Sequence, residues 1–312
     1  MRVGARALGL LLPALLVPAT AGAQATVGPQ VLQNPATVRA AGLGGAGAAL
    51  MGDAGAVFAN PAGLALIHHL SMEAGYHGAP FDAYQASGAL GIRLGQLDVG
   101  FGVQHFDFGS EPEIVPDPAT GGITGIPTGG QVSAREFLAS GSLIYRIGLL
   151  AFGGTIKTVD QRVVDVRERG VSGDLGVAIA LFDLAAFGFA IQNVSGNWDG
   201  GSAMTLPRLT RFGFTLNFVD PQETYRLLST IELQWPQAAS TRFIAGLEGG
   251  MVVRGVGVLA RGAYGSRPAD AAVSRFTTGL SVTLGGLAVD YAYTPTVLLG
   301  GGEQRIGLRL RL

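Results

Sequence analysis

The chain has no cysteine, a single lysine (Lys157) and few charged residues of either sign. Only 14% of its 312 residues are Asp, Glu, Lys or Arg, whereas soluble domains carry about a quarter. Without cysteine it can form no disulfide, thiolate metal site or thiol nucleophile. Its formal net charge is −1, with no Lys/Arg-rich run. We therefore expect no nucleic-acid partner.

Long apolar runs are also missing, except near the N-terminus. There, Arg2 and Arg6 precede an apolar stretch over residues 7–17, and the small residues of 21–23 come before Gln24. This order is typical of a secretory signal peptide, and the stretch is shorter than the ~20 residues that a membrane-spanning helix needs. The sequence predicts that residues 1–23 are a signal peptide and that the chain is exported.

From about Met72 to Leu312, apolar residues alternate with small or polar ones. In residues 97–104, Leu, Val, Phe and Val alternate with Asp, Gly, Gly and Gln, and the same period recurs in 211–218 and 305–312. A period of two sorts side chains onto the two faces of a strand. Aromatic residues stand near several strand ends, as in the interfacial girdles of membrane barrels. The pattern predicts an all-β fold, a transmembrane antiparallel barrel of about 14 strands over residues 68–312.

Turn signals place the predicted strand ends. Short connections are expected at 95–96, 148, 183, 220–223, 249–250 and 285–286, and longer ones at 109–131, 159–170, 194–206, 265–272 and 295–303. This asymmetry is typical of barrels with short periplasmic turns and long outer loops. Residues 176–192 contain one charge, Asp183, and resemble a transmembrane helix in hydropathy. Their alternation favours two strands with a turn at Asp183.

Charged residues fall on the predicted inner face of the strands. The lumen-lining candidates are Arg93, Asp98, Arg211, Glu232, Arg305, Arg309 and Arg311. Two interpretations stay open: these side chains form ion pairs that anchor a plug, or some of them line a conduit.

No motif predicts catalysis, a metal or a cofactor. Gly42 to Gly47 fit the pattern G-x-G-x-x-G, but no buried strand precedes them and no alternating helices follow, as a dinucleotide site requires. Neighbouring His68 and His69 would point to opposite faces of a strand. No H-E-x-x-H, G-x-S-x-G or P-loop pattern occurs, and nothing singles out a serine partner for His105 as a hydrolase site. We expect a protein that is not an enzyme.

Residues 24–67 are rich in Ala and Gly and lack the strand period. Within them, residues 39–47 and 53–64 resemble the N-terminal signature of the FadL-type long-chain fatty-acid transporters and the related PorV/PorQ proteins. The most specific element is Asn60-Pro61-Ala62-Gly63. The resemblance implies a 14-stranded barrel with the 24–67 segment folded inside the lumen as a hatch, and it places Asn60, Pro61, Ala62 and Gly63 in the hatch motif.

Two functions follow from this resemblance, both in the bacterial outer membrane, surrounded by its lipid. The transporter branch implies passive passage of small hydrophobic, fatty-acid-like molecules through a plugged barrel. The other branch implies an accessory barrel of a type IX protein secretion system, which binds exported proteins without transporting small molecules. Neither branch implies a cofactor.

Overall fold

The computed structural model describes residues 28–79, 82–182, 184–194, 196–199, 206–220, 224–237, 239–266, 274–296 and 302–312. The predicted signal peptide lies outside these residues. In the part that is described, no helix has both the length and the apolar character needed to cross a membrane.

Residues 28–69, called here the N-terminal segment, precede the strands. They form the short helices α1 (Gln30–Gln33) and α2 (Val38–Gly42) and two 3₁₀ helices, Ala54–Phe58 and Pro61–Leu66. A glycine-rich stretch over residues 43–53 separates α2 from the first 3₁₀ helix. The other two breaks precede or contain a proline, Pro35 and Pro61, whose nitrogen cannot donate a helical hydrogen bond.

The rest of the described chain is a β-sheet with its connections, one of which contains a 3₁₀ helix, Pro118–Thr120. Its strands are β1 Leu70–Gly78, β2 Tyr84–Leu94, β3 Leu97–Pro116, β4 Gly125–Ile147, β5 Leu150–Val163, β6 Val166–Leu181, β7 Ala185–Gln192, β8 Gly196–Asp199, β9 Leu209–Val219, β10 Tyr225–Pro236, β11 Arg242–Val253, β12 Val256–Gly265, β13 Phe276–Leu284, β14 Leu287–Pro295 and β15 Gly302–Arg311.

The sheet is antiparallel and closes on itself, because β1 pairs with both β2 and β15. Strand β8 does not add a further strand to the circumference. β7 pairs with residues 175–181 of β6, and β8 pairs with residues 169–172 of the same strand after a break at Asn193, where φ is 56°. β9 takes the other edge of β7. The barrel thus has 14 positions around its circumference, which confirms the predicted count and the two-strand interpretation of residues 176–192.

Polar and apolar side chains are distributed in the reverse of a soluble protein. On β4, for example, Leu143 and Tyr145 are exposed on the outside while Ser142 and Ile144 are buried on the inside. Most large exposed side chains of the other strands are likewise Leu, Val, Ile, Phe or Tyr. This arrangement is typical of a barrel surrounded by hydrocarbon.

The connections correct three predictions. The pair Gly249-Gly250 lies inside β11, and the turn is at Arg254-Gly255, where both φ angles are positive (51° and 79°), as a tight hairpin turn requires. A Cβ on Gly250 would collide with the backbone of Leu259 on β12. That glycine therefore reflects a close approach of strands and not a turn.

The expected long connections at 159–170 and 109–131 are also wrong. β5 and β6 meet in a tight turn at residues 164–165, with Val164 at φ 54°, a conformation that β-branched residues rarely adopt and that sequence signals therefore miss. β3 and β4 pair as far as Pro116 and Gly125 around two register shifts. β2 stops pairing with β3 at Asp107, and β5 stops pairing with β4 at Ala134. β3 and β4 therefore project beyond their neighbours as a two-stranded ribbon.

Candidate functional site

The Asn60-Pro61-Ala62-Gly63 motif joins three parts of the structure. Asn60 is fully buried; its side-chain oxygen accepts from the Ala62 N–H at 3.1 Å and so caps the 3₁₀ helix that Pro61 begins. Its amide nitrogen donates to the carbonyl oxygens of Ala48 at 2.7 Å and Val177 at 3.3 Å. The motif therefore ties the N-terminal segment to itself and to strand β6.

Inward-facing glycines make room for this segment. A Cβ on Gly153 would lie 2.7 Å from the backbone nitrogen of Ala62, and one on Gly100 would overlap Leu64. At Gly176 and Gly188 the collisions would be with the Asn60 side chain and the Ala48 carbonyl. The glycine-rich inner face of the strands is thus the surface on which the segment packs.

Asp53 is the centre of a buried ion cluster. Its carboxylate pairs with Arg39 of the N-terminal segment at 2.7 Å and with Arg309 and Arg311 of β15 at 3.1 and 2.5 Å. Burial by itself raises the pKa of Asp53, but the charges of Arg309, Arg311 and Arg39 outweigh it, and the pKa lies far below its ordinary value. The side chain does not cap the helix that follows, so its contacts are those of an ion pair.

The cluster continues around the inner face. Glu248 pairs with Arg39 at 2.7 Å and Arg261 at 3.0 Å. Asp290 pairs with Arg261 at 2.9 Å and with Arg309 at 3.2 Å. Charges of opposite sign alternate through this network, so that few of them are left without a partner where water is scarce.

Glu232 and Arg211 hold a second part of the segment. One Glu232 oxygen accepts from the Gly47 and Ala48 N–H groups, both at 2.7 Å, and the other pairs with Arg211 at 3.1 Å. Arg211 also donates to the Gly45 carbonyl at 3.2 Å. Gly47, the last residue of the Gly42 to Gly47 pattern, and the following Ala48 therefore bind the Glu232 carboxylate of strand β10.

The remaining predicted lumen residues lie in two groups. At the short-turn end, Asp98 pairs with Arg93 at 3.2 Å and Arg146 at 2.9 Å, and Arg93 donates to the Ala65 carbonyl. Nearer the long-loop end, Arg305 donates to the Pro35 carbonyl at 2.6 Å. All seven candidate lumen residues thus lie on the inner face, and each contacts the N-terminal segment directly or through one ion-paired partner.

An apolar patch on the inner face was not expected from the sequence. Phe106, Leu138 and Val159, on β3 to β5, are buried against Val31 of α1, with Phe58 packed beside them. The available signal was an apolar residue in an inward position, as at Phe106 after Gln104. The patch lies toward the long-loop end of these strands, and a cavity of about 40 Å³ adjoins it.

A larger cavity of about 630 Å³ lies at the short-turn end. Arg39 and Met51 of the N-terminal segment form part of its wall, and Arg226, Glu248 and Arg309 line the strand side. The N-terminal segment thus contacts both cavities. Among the described residues, no group of three or more His, Asp or Glu side chains is placed to hold a metal ion.

The fold, unlike the sequence, is similar to known structures. No protein-family profile matches the chain, and no curated protein matches it by sequence. The toluene transporter TbuX of Ralstonia pickettii superimposes with a TM-score of 0.60 at 14% identity, over 88% of this chain and 98% of TbuX. The toluene transporter TodX of P. putida gives 0.60 at 11% identity, over 88% and 96%.

A FadL homologue of Pseudomonas aeruginosa gives a TM-score of 0.52 at 14% identity, over 88% of this chain and 97% of the homologue. The chain therefore shares the fold of these barrels over nearly their whole length.

Proposed function

We propose that this chain is an exported outer-membrane channel for the passive passage of small hydrophobic molecules, in which the N-terminal segment is a movable hatch. The barrel resembles structures named as toluene transporters and as a FadL homologue. The toluene of the two transporters suggests neutral aromatic molecules as one class to test. Fatty-acid-like molecules are the class that the N-terminal motif implies. No reaction is needed for passage, and none is proposed.

The outer face supports the membrane location. Tyr76 and Trp235 lie at the long-loop ends of their strands, Tyr145 and Tyr225 at the short-turn ends, and exposed apolar side chains lie between these levels. Aromatic girdles on both sides of an apolar band are what a bilayer selects. The short turns would face the periplasm and the longer connections the outside.

The observation that carries the hatch proposal is how the N-terminal segment is held. It adds no strand to the sheet. Its bonds to the strands include side-chain contacts of Asp53, Asn60 and Glu232. Those contacts can break and re-form without opening the backbone ladder that closes the barrel. Passage would then need a rearrangement of the segment only, as in other gated sites.

The two cavities suggest a path. Once α1 moves away from it, the apolar patch around Phe106 and Leu138 can bury a hydrophobic molecule entering from the long-loop end, at a gain of about 25 cal/mol for each Å² removed from water. The 630 Å³ cavity at the short-turn end has charged walls, which favour release. The N-terminal segment separates binding from release in this scheme.

The test is uptake by bacterial cells that lack their own hydrophobic-compound channels. Cells that produce the protein should take up labelled toluene or labelled oleate faster than cells with an empty vector. Equal uptake of both compounds in the two strains would reject the proposed passage.

A disulfide tests the hatch itself. A Cβ on Gly42 of α2 would lie 3.6 Å from the Cβ of Ala292 on β14, within the range for a disulfide, and the chain has no other cysteine. The same Cβ would lie 2.7 Å from Cδ of Arg261, so the Arg261 side chain must shift in the variant. Oxidised G42C/A292C should lose uptake and regain it on reduction. The single variant G42C, which carries the same displacement of Arg261 without a disulfide, is the control. Full uptake by the oxidised double variant would show that the segment need not move at α2.

The secretion-accessory role stays a prediction from the N-terminal motif alone. The similar structures named above are transporters and do not support secretion-system partners.

A further inference from the structure

Four arginines of the strands face outward, whereas the other basic strand residues that the structure describes face inward. Inward positions are occupied by most basic side chains of the described strands, namely Arg93, Arg146, Lys157, Arg211, Arg226, Arg242, Arg261, Arg305, Arg309 and Arg311. Arg135 on β4, Arg162 on β5, and Arg167 and Arg169 on β6 occupy outward positions. The pairing of these three strands has no bulge, so the alternation that gives these directions is unbroken.

The four arginines form one patch. Arg135 lies opposite Arg162, and Arg162 opposite Arg167, so that three of them stand side by side across three strands. In the next row toward the short-turn end, Phe137, Asp160 and Arg169 are aligned in the same way. Cross-strand neighbours of this kind lie about 5 Å apart. Guanidinium groups placed so closely repel one another unless an anion lies among them.

The height of the patch places it at the edge of the apolar band. β5 begins at Leu150, and Asp160 and Arg162 are its eleventh and thirteenth residues. A strand crosses a bilayer in about 9–11 residues. Below the patch the outward side chains include Phe152 and Ile156, both exposed. The arginines therefore stand where headgroups would begin, on the long-loop side.

Local acids neutralise only part of this charge. Asp160 pairs with Arg167 at 2.6 Å and Arg169 at 2.9 Å, although both arginine side chains are more than half exposed. Asp107, opposite Arg135, is 3.9 Å from His105. Asp165, in the turn between β5 and β6, adds a third carboxylate, whereas Glu168 occupies an inward position on β6. Four guanidinium groups thus stand with three carboxylates, which leaves an excess of one positive charge. The patch keeps a net positive charge in a chain whose overall charge is −1.

We propose that this patch binds the phosphate groups of an anionic lipid in the leaflet that surrounds the long-loop end. Planar guanidinium groups bind phosphate oxygens with paired hydrogen bonds. The adjoining apolar surface at Phe137 and Ile156 accommodates acyl chains, which a free anion does not have. A phosphorylated glycolipid fits both features. The inference rests on the membrane location proposed above but not on transport.

The experiment measures lipid retained by the purified barrel in detergent, by native mass spectrometry. The probes are bisphosphorylated lipid A, the same glycolipid without phosphate, and inorganic phosphate. The variant R135Q/R162Q/R169Q keeps the Arg167–Asp160 pair, and R226Q, at an inward arginine, is the matched control. Heat-modifiable mobility on gels checks that each variant is folded.

We expect the wild type and R226Q to retain lipid A and the triple variant to bind it at least about tenfold more weakly, since each arginine contributes roughly a fivefold factor near an anionic surface. Equal retention by the folded triple variant would overturn the proposal. If the triple variant does not fold, the binding of the three probes to the wild type still tests the proposal. Equal binding of phosphorylated and phosphate-free glycolipid refutes a phosphate site, and binding of inorganic phosphate as tight as lipid A refutes a lipid site. If the wild-type barrel retains no lipid A but takes up hydrocarbon, only this inference is rejected. If it retains lipid A but takes up no hydrocarbon, only the proposed channel is rejected.

Discussion

Replacing Asp53 by Asn should release the N-terminal segment from β15 without unfolding the barrel. The side chain keeps its volume and loses the charge that faces Arg39, Arg309 and Arg311. Because Asp53 does not cap a helix, the substitution leaves local structure intact. The barrel's backbone pairing does not involve this residue.

The size of the effect follows from burial. Removing one partner of a buried ion pair costs about 3–5 kcal/mol. Arg39 retains Glu248 and Arg309 retains Asp290, so we expect the lower end, about 3 kcal/mol. A difference of that size corresponds to about a hundredfold increase in the population with the segment released.

Labelling of a single introduced cysteine measures this population. Ala41 of α2 is buried, and in the otherwise cysteine-free chain A41C is the only thiol. When closing is fast, the rate of reaction with a polar maleimide follows the open population. We expect A41C/D53N to react about a hundredfold faster than A41C.

The matched control removes a different carboxylate. Asp160 pairs with two exposed arginines, and exposed pairs contribute about 0–1 kcal/mol. A41C/D160N should therefore react at nearly the rate of A41C. If A41C/D53N, shown to be folded by its gel mobility, also reacted at that rate, the ion cluster would not hold the segment.

Three further predictions concern the same contacts. Since the pKa of Asp53 is depressed, the stability that its ion pairs give to the closed segment is fully present above the unfolded pKa of about 4 and falls as the pH drops toward the folded value. The difference in channel conductance between D53N and the wild type should therefore be constant down to a pH of about 4 and shrink below it. A difference that stays constant at lower pH would contradict this assignment. Asn60→Asp removes two amide donors and should lower the free energy of unfolding by about 1–3 kcal/mol, measured by urea titration; an unchanged midpoint would contradict the assigned bonds. Gly188→Val should displace the segment and increase labelling at position 41, whereas Gly141→Val, which meets nothing within 4 Å, should not; equal labelling of the two variants would show that the inner glycines are not needed for packing.

Much of the barrel could be predicted from local patterns. The alternation in residues 97–104 and 305–312 depends only on which residues face lipid and which face inward, so strand number and side-chain direction followed from it. Turns were less predictable. Gly249-Gly250 has turn composition but lies in a strand, and Val164 stands in a turn that its residue type disfavours.

The contacts of the N-terminal segment could not be predicted in the same way. Arg39 and Glu248 are 209 residues apart, and only the closed sheet brings them together. The sequence did show that Glu232 and Arg211 face inward, but not that they bind the backbone of residues 45–48. Because the segment lacks a period, its path depends on the glycines and carboxylates of many strands at once.

The ribbon formed by β3 and β4 has a practical consequence for orientation. Its tip, residues 117–124, is exposed and turns through Gly121 and Gly122, where an inserted epitope tag would disturb no neighbouring strand. On intact cells an antibody would reach a tag there only if the long connections face the medium. The ribbon is thus a handle with which the direction of the whole barrel in its membrane can be read.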